Sequence, residues 1–375
     1  MKHGGALLLV FVLAFGGVYL LMADNGHRGV RAKAGVLDLR ETNADPSQLI
    51  PLRGEWTFRK WEDTAYAAPV TAVVPGNWAD LRVNGKALGP KAIGRYELKL
   101  LLKIPQGKGP VPGKRPPPGS GRDRPPGLGS DRPPGSPPPG SGVSLFGPPA
   151  LLVSASFGSA YSLRINGTPP LSSDGVIDFQ RQTSTAGYSY TTVRVPKGKG
   201  DTITLYLDVA NHHHHLGGLT TAPLLGFHKT VERYAFWWTF PALFVGSLLF
   251  GFSLLCLGLL LIFRGRKLLL YAALFCGAGV VRLLFSDAMP ISYLSADLPW
   301  NLVLSLRFLT LPYLCFFFGL YLLELLPGQE NGKLKRFFVG GVGLLTLLVV
   351  LLPPFPKSYV FYLTQVYIVA ICVIG

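Results

Sequence analysis

Residues 239–263 read TFPALFVGSLLFGFSLLCLGLLLIF, an uncharged run longer than the roughly 20 residues with which an α-helix crosses about 30 Å of hydrocarbon. At that depth the backbone has no water to bond, so a lone segment must satisfy itself as a helix. Three more apolar runs follow at 268–285, 302–323 and 337–352, and a fifth begins at Tyr359 and is still apolar at Gly375. The sequence therefore predicts an α-helical transmembrane bundle over 239–375, with four complete spans and a partial fifth. The lipid bilayer is its first partner.

Upstream the text changes character. Alternating runs such as Tyr96-Glu97-Leu98-Lys99-Leu100 and Thr202-Ile203-Thr204-Leu205-Tyr206-Leu207 are separated by turn signals at Asn84-Gly85, Asn166-Gly167 and 197–200. Period-two alternation broken by such turns predicts an all-β sandwich ectodomain over 24–228. Within it, residues 106–149 are rich in Pro and Gly, and Asp-Arg-Pro-Pro-Gly occurs at 123–127 and again at 131–135. With almost nothing apolar to bury, that insert is expected to be disordered. Residues 1–23, a basic start and then an apolar stretch, are expected to be a signal sequence or an N-terminal anchor. Residues 229–238, with Tyr234, Phe236, Trp237 and Trp238, read as an aromatic juxtamembrane linker at the lipid interface.

Charge sets the orientation. Arg264, Arg266 and Lys267 lie between the first two runs, and Lys333, Lys335 and Arg336 lie between the third and fourth, whereas 286–301 holds neither Lys nor Arg. The positive-inside rule then places the β domain outside the cell. The net charge of +16 is scattered over the insert, linkers and loops, with no basic helix face, so nucleic acid is not expected as a partner. All four cysteines fall in apolar runs, and no zinc spacing, phosphate loop or nucleophile elbow occurs. No catalytic residue, metal or cofactor is expected, and the chain is not expected to be an enzyme.

The order of several motifs carries a family resemblance. Leu52-Arg53-Gly54-Glu55-Trp56-Thr57-Phe58, Val74-Pro75-Gly76-Asn77-Trp78, Ile93-Gly94-Arg95-Tyr96 and Asn211 running through the histidines to Gly217-Gly218-Leu219 stand in sequence, followed in the second apolar run by Leu270-Tyr271-Ala272-Ala273 and Val281-Arg282. The chain resembles the bacterial seven-transmembrane receptors with diverse intracellular signalling modules, whose exported galactose-binding-like jelly roll precedes a membrane bundle. The resemblance implies an inner-membrane receptor that senses a small extracytoplasmic ligand, with carbohydrate one candidate, and leaves room for a homodimer. It also implies further spans and an effector beyond Gly375, so the chain is expected to be truncated within the bundle. The first three motifs are similar, too, to the sugar-binding jelly roll of some glycoside hydrolases, which keeps open a membrane-tethered carbohydrate-binding module or hydrolase-related fragment.

Candidate site residues follow. Trp56 and Trp78 are candidates to stack on a sugar ring. His212 to His215 is read as a structural turn first, then as part of a ligand pocket with Asn211 and His213 as contacts, and last as a metal site. For coupling across the membrane the candidates are Trp237, Trp238, Arg282 and Arg307, because a charge inside an apolar span is costly and faces the bundle interior or an interface.

Overall fold

The structure is a computed structural model and describes residues 30–40, 48–102, 149–153, 159–188, 190–196, 201–263, 265–286, 289–295, 298–325 and 332–374. The expected signal sequence and residues 106–148 of the expected insert lie outside the described residues. Pro149, assigned to the insert, instead opens a strand.

The β region is built from two sheets. The larger contains β1 (Val36–Asp38), β3 (Gly54–Glu62), β4 (Ala65–Tyr66), β5 (Val70–Val74), β8 (Ala92–Leu101), β10 (Ala160–Ile165), β11 (Ser172–Asp174) and β15 (Thr202–Asn211). Its path is β11-β10-β15-β8-β3-β4, with β5 beside β3 and β1 parallel to β8. The smaller sheet is β14 (Thr191–Arg194), β9 (Pro149–Val153), β16 (Leu224–Phe227) and β2 (Ile50–Pro51), in that order. Two short hairpins complete the region: β6 (Arg82–Val83) with β7 (Lys86–Ala87), and β12 (Val176–Asp178) with β13 (Thr183–Thr185). The first turns on Asn84-Gly85, both at positive φ, the pairing that a two-residue hairpin favours.

Alternation decides which faces meet. Tyr96, Leu98 and Leu100 of β8 and Ile203, Leu205, Leu207 and Val209 of β15 are buried on one side, and Leu151, Val153, Val193 and Leu225 of the smaller sheet join the same core. On the opposite face of the larger sheet, Asp208 is fully buried beneath Arg95, whose guanidinium bonds both carboxylate oxygens at 2.7 and 3.0 Å.

The helical region comprises α1 (His228–Ile262), α2 (Lys267–Leu284), α3 (Trp300–Leu325), α4 (Gly332–Leu351), a single turn α5 (Pro354–Lys357) and α6 (Val360–Ile374). Helices α1 to α4 are long and apolar enough to cross a membrane. The sequence reading starts the first helix at 239, but α1 begins at His228, directly after β16, so residues 229–238 are helix and not a separate linker. Their burial explains the difference: Val231 is fully buried against Ala150 and Leu152 of β9, with Tyr234 and Ala235 beside it, so packing on the smaller sheet carries the helix upward. At 35 residues α1 is about 52 Å long, well beyond the hydrocarbon thickness.

Candidate functional site at the junction of sheets and helices

The site starts with one asparagine. Asn211 ends β15, is fully buried, and bonds across the turn that follows. Its amide nitrogen donates to the carbonyls of Pro90, His214 and Leu216 at 2.8, 2.7 and 3.2 Å. Its carbonyl oxygen accepts from the backbone N–H of His213 and His214 at 3.4 and 3.1 Å. A fully satisfied buried amide of this kind fixes a loop in one conformation. The turn closes on Gly217-Gly218, which the core requires. A Cβ at Gly217 would stand 2.6 Å from the Trp78 ring and 2.6 Å from the Pro90 carbonyl, and Gly218 sits at φ +100.

The turn rests on the helices. The Ser358 hydroxyl donates to the Phe355 carbonyl at 2.6 Å and accepts the His215 backbone N–H at 3.1 Å. With its proton committed, Ser358 Oγ must also accept from His215 Nδ1, 3.1 Å away. That assignment leaves His215 Nε2 as acceptor for the Tyr362 hydroxyl at 3.2 Å. His215 is thus held as the neutral Nδ1–H tautomer. Its neighbour His214 is buried, and its pKa is pushed down to about 3, by burial first and by the proximity of His215 and Arg307 as well. Beside this contact Lys91 lies over the Phe355 ring at 4.0 Å. Lys357, itself buried, donates to Asn301 Oδ1 at 2.5 Å and Ser305 Oγ at 3.0 Å, tying α5 to α3.

A second contact lies across the bundle. The Tyr188 hydroxyl accepts from Leu298 N at 3.0 Å and donates to its carbonyl at 3.3 Å, while the ring packs with Phe285, Met289 and Val303. All these helix-side contacts come from the α2 to α3 and α4 to α6 connections or the helix ends next to them. The β region therefore sits on the side of the bundle that carries the loops poor in Lys and Arg.

Between the histidine turn and the helices lies a cavity of about 300 Å³. His214, His215, Leu216 and Thr220 line it from the β region, and Arg282 of α2, Arg307 of α3 and Tyr362 of α6 line it from the bundle, with Phe308, Leu311 and Phe361 as apolar wall. Arg282 donates to the Arg307 carbonyl at 3.0 Å, and the Thr310 hydroxyl reaches the same oxygen at 3.2 Å. Pro312, inside α3, lacks the N–H that would bond the Phe308 carbonyl one turn earlier.

Arg282 and Arg307, predicted separately, are brought together here. The other predicted residues are not. Trp56 and Trp78 are 1% and 0% exposed, and their indole N–H groups donate to the Leu52 carbonyl at 3.1 Å and the Tyr96 hydroxyl at 2.8 Å. Neither has a ring face open to a sugar, which corrects the expectation that they bind ligand; their large apolar area is spent on the core. Asn211 is fully buried internal scaffold, and His213 bonds the Ser184 carbonyl through Nε2 and does not line the cavity, where His214 and His215 are the lining histidines. Trp237 is half exposed on α1 and Trp238 stacks on Tyr234, and neither lines the cavity. Asp208 points to the opposite face, and among the described residues no three His, Cys, Asp or Glu side chains converge as metal ligands. Sequence reasoning missed Ser358 and Tyr362; the only signal was that they closely follow Lys357, at the end of the bundle next to the β region.

No protein-family model matches the chain, and no curated protein matches it. Among solved structures, the β-glucuronidase of Ruminococcus gnavus in complex with C6-substituted uronic isofagomine aligns at 12% identity and TM-score 0.29, over 48% of this chain and 29% of that one. The same enzyme with N1-substituted uronic isofagomine aligns at 12% identity and TM-score 0.29, over 48% and 30%. The chain spans less than a third of the length of the enzyme that it matches.

Proposed function

We propose that this chain is the receptor portion of a bacterial transmembrane signalling protein. The β region is read as an exported jelly roll of the galactose-binding type on the outer side of the inner membrane, sensing a small extracytoplasmic ligand. The bundle passes the resulting change in docking inward to an effector. One observation carries the reading: the cavity is walled by both units, with His214 and His215 on one side and Arg282, Arg307 and Tyr362 on the other. A ligand held there touches both at once, so it binds one arrangement of turn against helices better than another, which is what a signal requires. The basic residues supply the direction, since Arg266, Lys267, Lys333, Lys335 and Arg336 lie at the helix ends away from the β region. The tethered carbohydrate-binding alternative loses its aromatic platforms, because Trp56 and Trp78 are enclosed in the core.

Reporter fusions test the arrangement in cells. Fusions after Lys267 and Arg336 are expected to report cytoplasm, and fusions after Asp201 and Ser295 the exported side. A cytoplasmic signal at Asp201 overturns the receptor reading.

A further inference from the structure

The chemistry of the cavity lining specifies a ligand class. Its described side chains include two guanidinium groups and no carboxylate, two imidazoles, and the hydroxyls of Thr220 and Tyr362, set against Leu216, Phe308, Leu311 and Phe361. A planar fork of N–H donors matches a carboxylate or phosphate, and it does so most strongly where neighbouring apolar groups thin the water. Arg282 is fixed in place by its bond to the Arg307 carbonyl, so the two cationic side chains are held on adjacent walls of one space. The field of Arg307 reaches across to the turn, where it adds to the burial that keeps His214 uncharged. The volume, about 300 Å³, suits a molecule of monosaccharide size.

From this geometry we infer that the cavity binds a small oxyanion, a carboxylate- or phosphate-bearing molecule, between Arg282 and Arg307 of the helices and His214 and His215 of the turn. Only the meaning of occupancy as a signal rests on the receptor reading; binding itself does not. The anionic group has two physical sources, a soluble metabolite or the headgroup of a phospholipid in the facing leaflet.

The full chain in phosphatidylcholine nanodiscs distinguishes them. Galacturonate and glycerol 3-phosphate are titrated, with galactose and glycerol as uncharged counterparts, and the thermal unfolding midpoint is read. In a second arm, phosphatidylglycerol replaces part of the phosphatidylcholine. The midpoint is expected to rise with an anionic probe and not with its neutral counterpart. Arg307→Gln is expected to weaken the response by about tenfold or more, the scale of one lost charge-assisted pair. Arg282→Lys and Arg307→Lys keep the charge and guard against misfolding; they are expected to retain part of the response. A rise confined to phosphatidylglycerol discs and lost in Arg307→Gln assigns the oxyanion to lipid. No rise in either arm, or a rise unaffected by every arginine variant, overturns the inference and leaves the fusion result standing.

Discussion

Asn211 holds more of this site together than any residue that lines it. Replacing it with Ala strips partners from three carbonyls and two amide N–H groups at the foot of β15, around a side chain that is itself fully buried. Buried polar groups left unmade cost about 1–3 kcal/mol each where the loop cannot relax. Partial relaxation of the turn limits the total for Asn211→Ala to roughly 2–4 kcal/mol. The expected outcome is a lower unfolding midpoint together with faster hydrogen exchange at residues 212–217. Unchanged exchange in that segment refutes the scaffold role. Asn211 thus acts on the cavity through His214 and His215, and a ligand placed there never meets it.

Elements show what was legible in the sequence and what was not. The span at 239–263 could be read because an uncharged run of that length has one solution in lipid, and the strands because β8 and β15 alternate cleanly. What period and composition do not contain is partnership across distance. His215 meets Ser358, and Tyr188 meets Leu298, through contacts set by how two units pack. The same limit hid the fate of Trp56 and Trp78, since an aromatic at a strand end reads alike whether a second sheet covers it or not. It also hid the early start of α1, where Val231 packs under β9. Because α1 is continuous from that sheet contact into the bundle, its rotational phase is fixed at both ends. Inserting two alanines between Phe236 and Trp237 turns the lower helix by about 200°, while four turn it by about 400°, only some 40° out of phase. The two-residue insertion is expected to lower the unfolding midpoint and expose 212–217 to exchange far more than the four-residue one. Equal effects rule out a phase-locked α1.

At the scale of the whole molecule, acidity acts on the join between units. His214 faces His215 from its own turn, Arg307 from α3, Arg282 from α2 and Tyr362 from α6, with the Leu216 N–H donating to its Nδ1 at 3.1 Å. Its pKa is pushed down from 6.5 to about 3 in the docked arrangement, by burial first and then by His215 and Arg307, so a released state that exposes it binds the proton more tightly. Docking strength is full above the released value and falls as pH drops below it. Relative to the plateau at high pH, the loss at pH 5 reaches at most roughly 2 kcal/mol, about thirtyfold in the docking equilibrium. Hydrogen exchange at 212–217, corrected for intrinsic rates, is expected to rise on that scale, and His214→Asn to flatten the dependence. A wild-type profile without slope contradicts it.

The pH dependence expected of His214 acts on one of three supports. The β region stands on the bundle at Val231, at Tyr188 against Leu298, and at His215 against Ser358. Three points define a plane, and a body resting on three points is located without redundancy. Lifting one of them does not set the body adrift; it leaves a single tilt about the line through the other two. A cavity lies beneath the histidine support. The motion expected on loss of that support is a rocking about the axis from Val231 to Tyr188, where the domain remains attached.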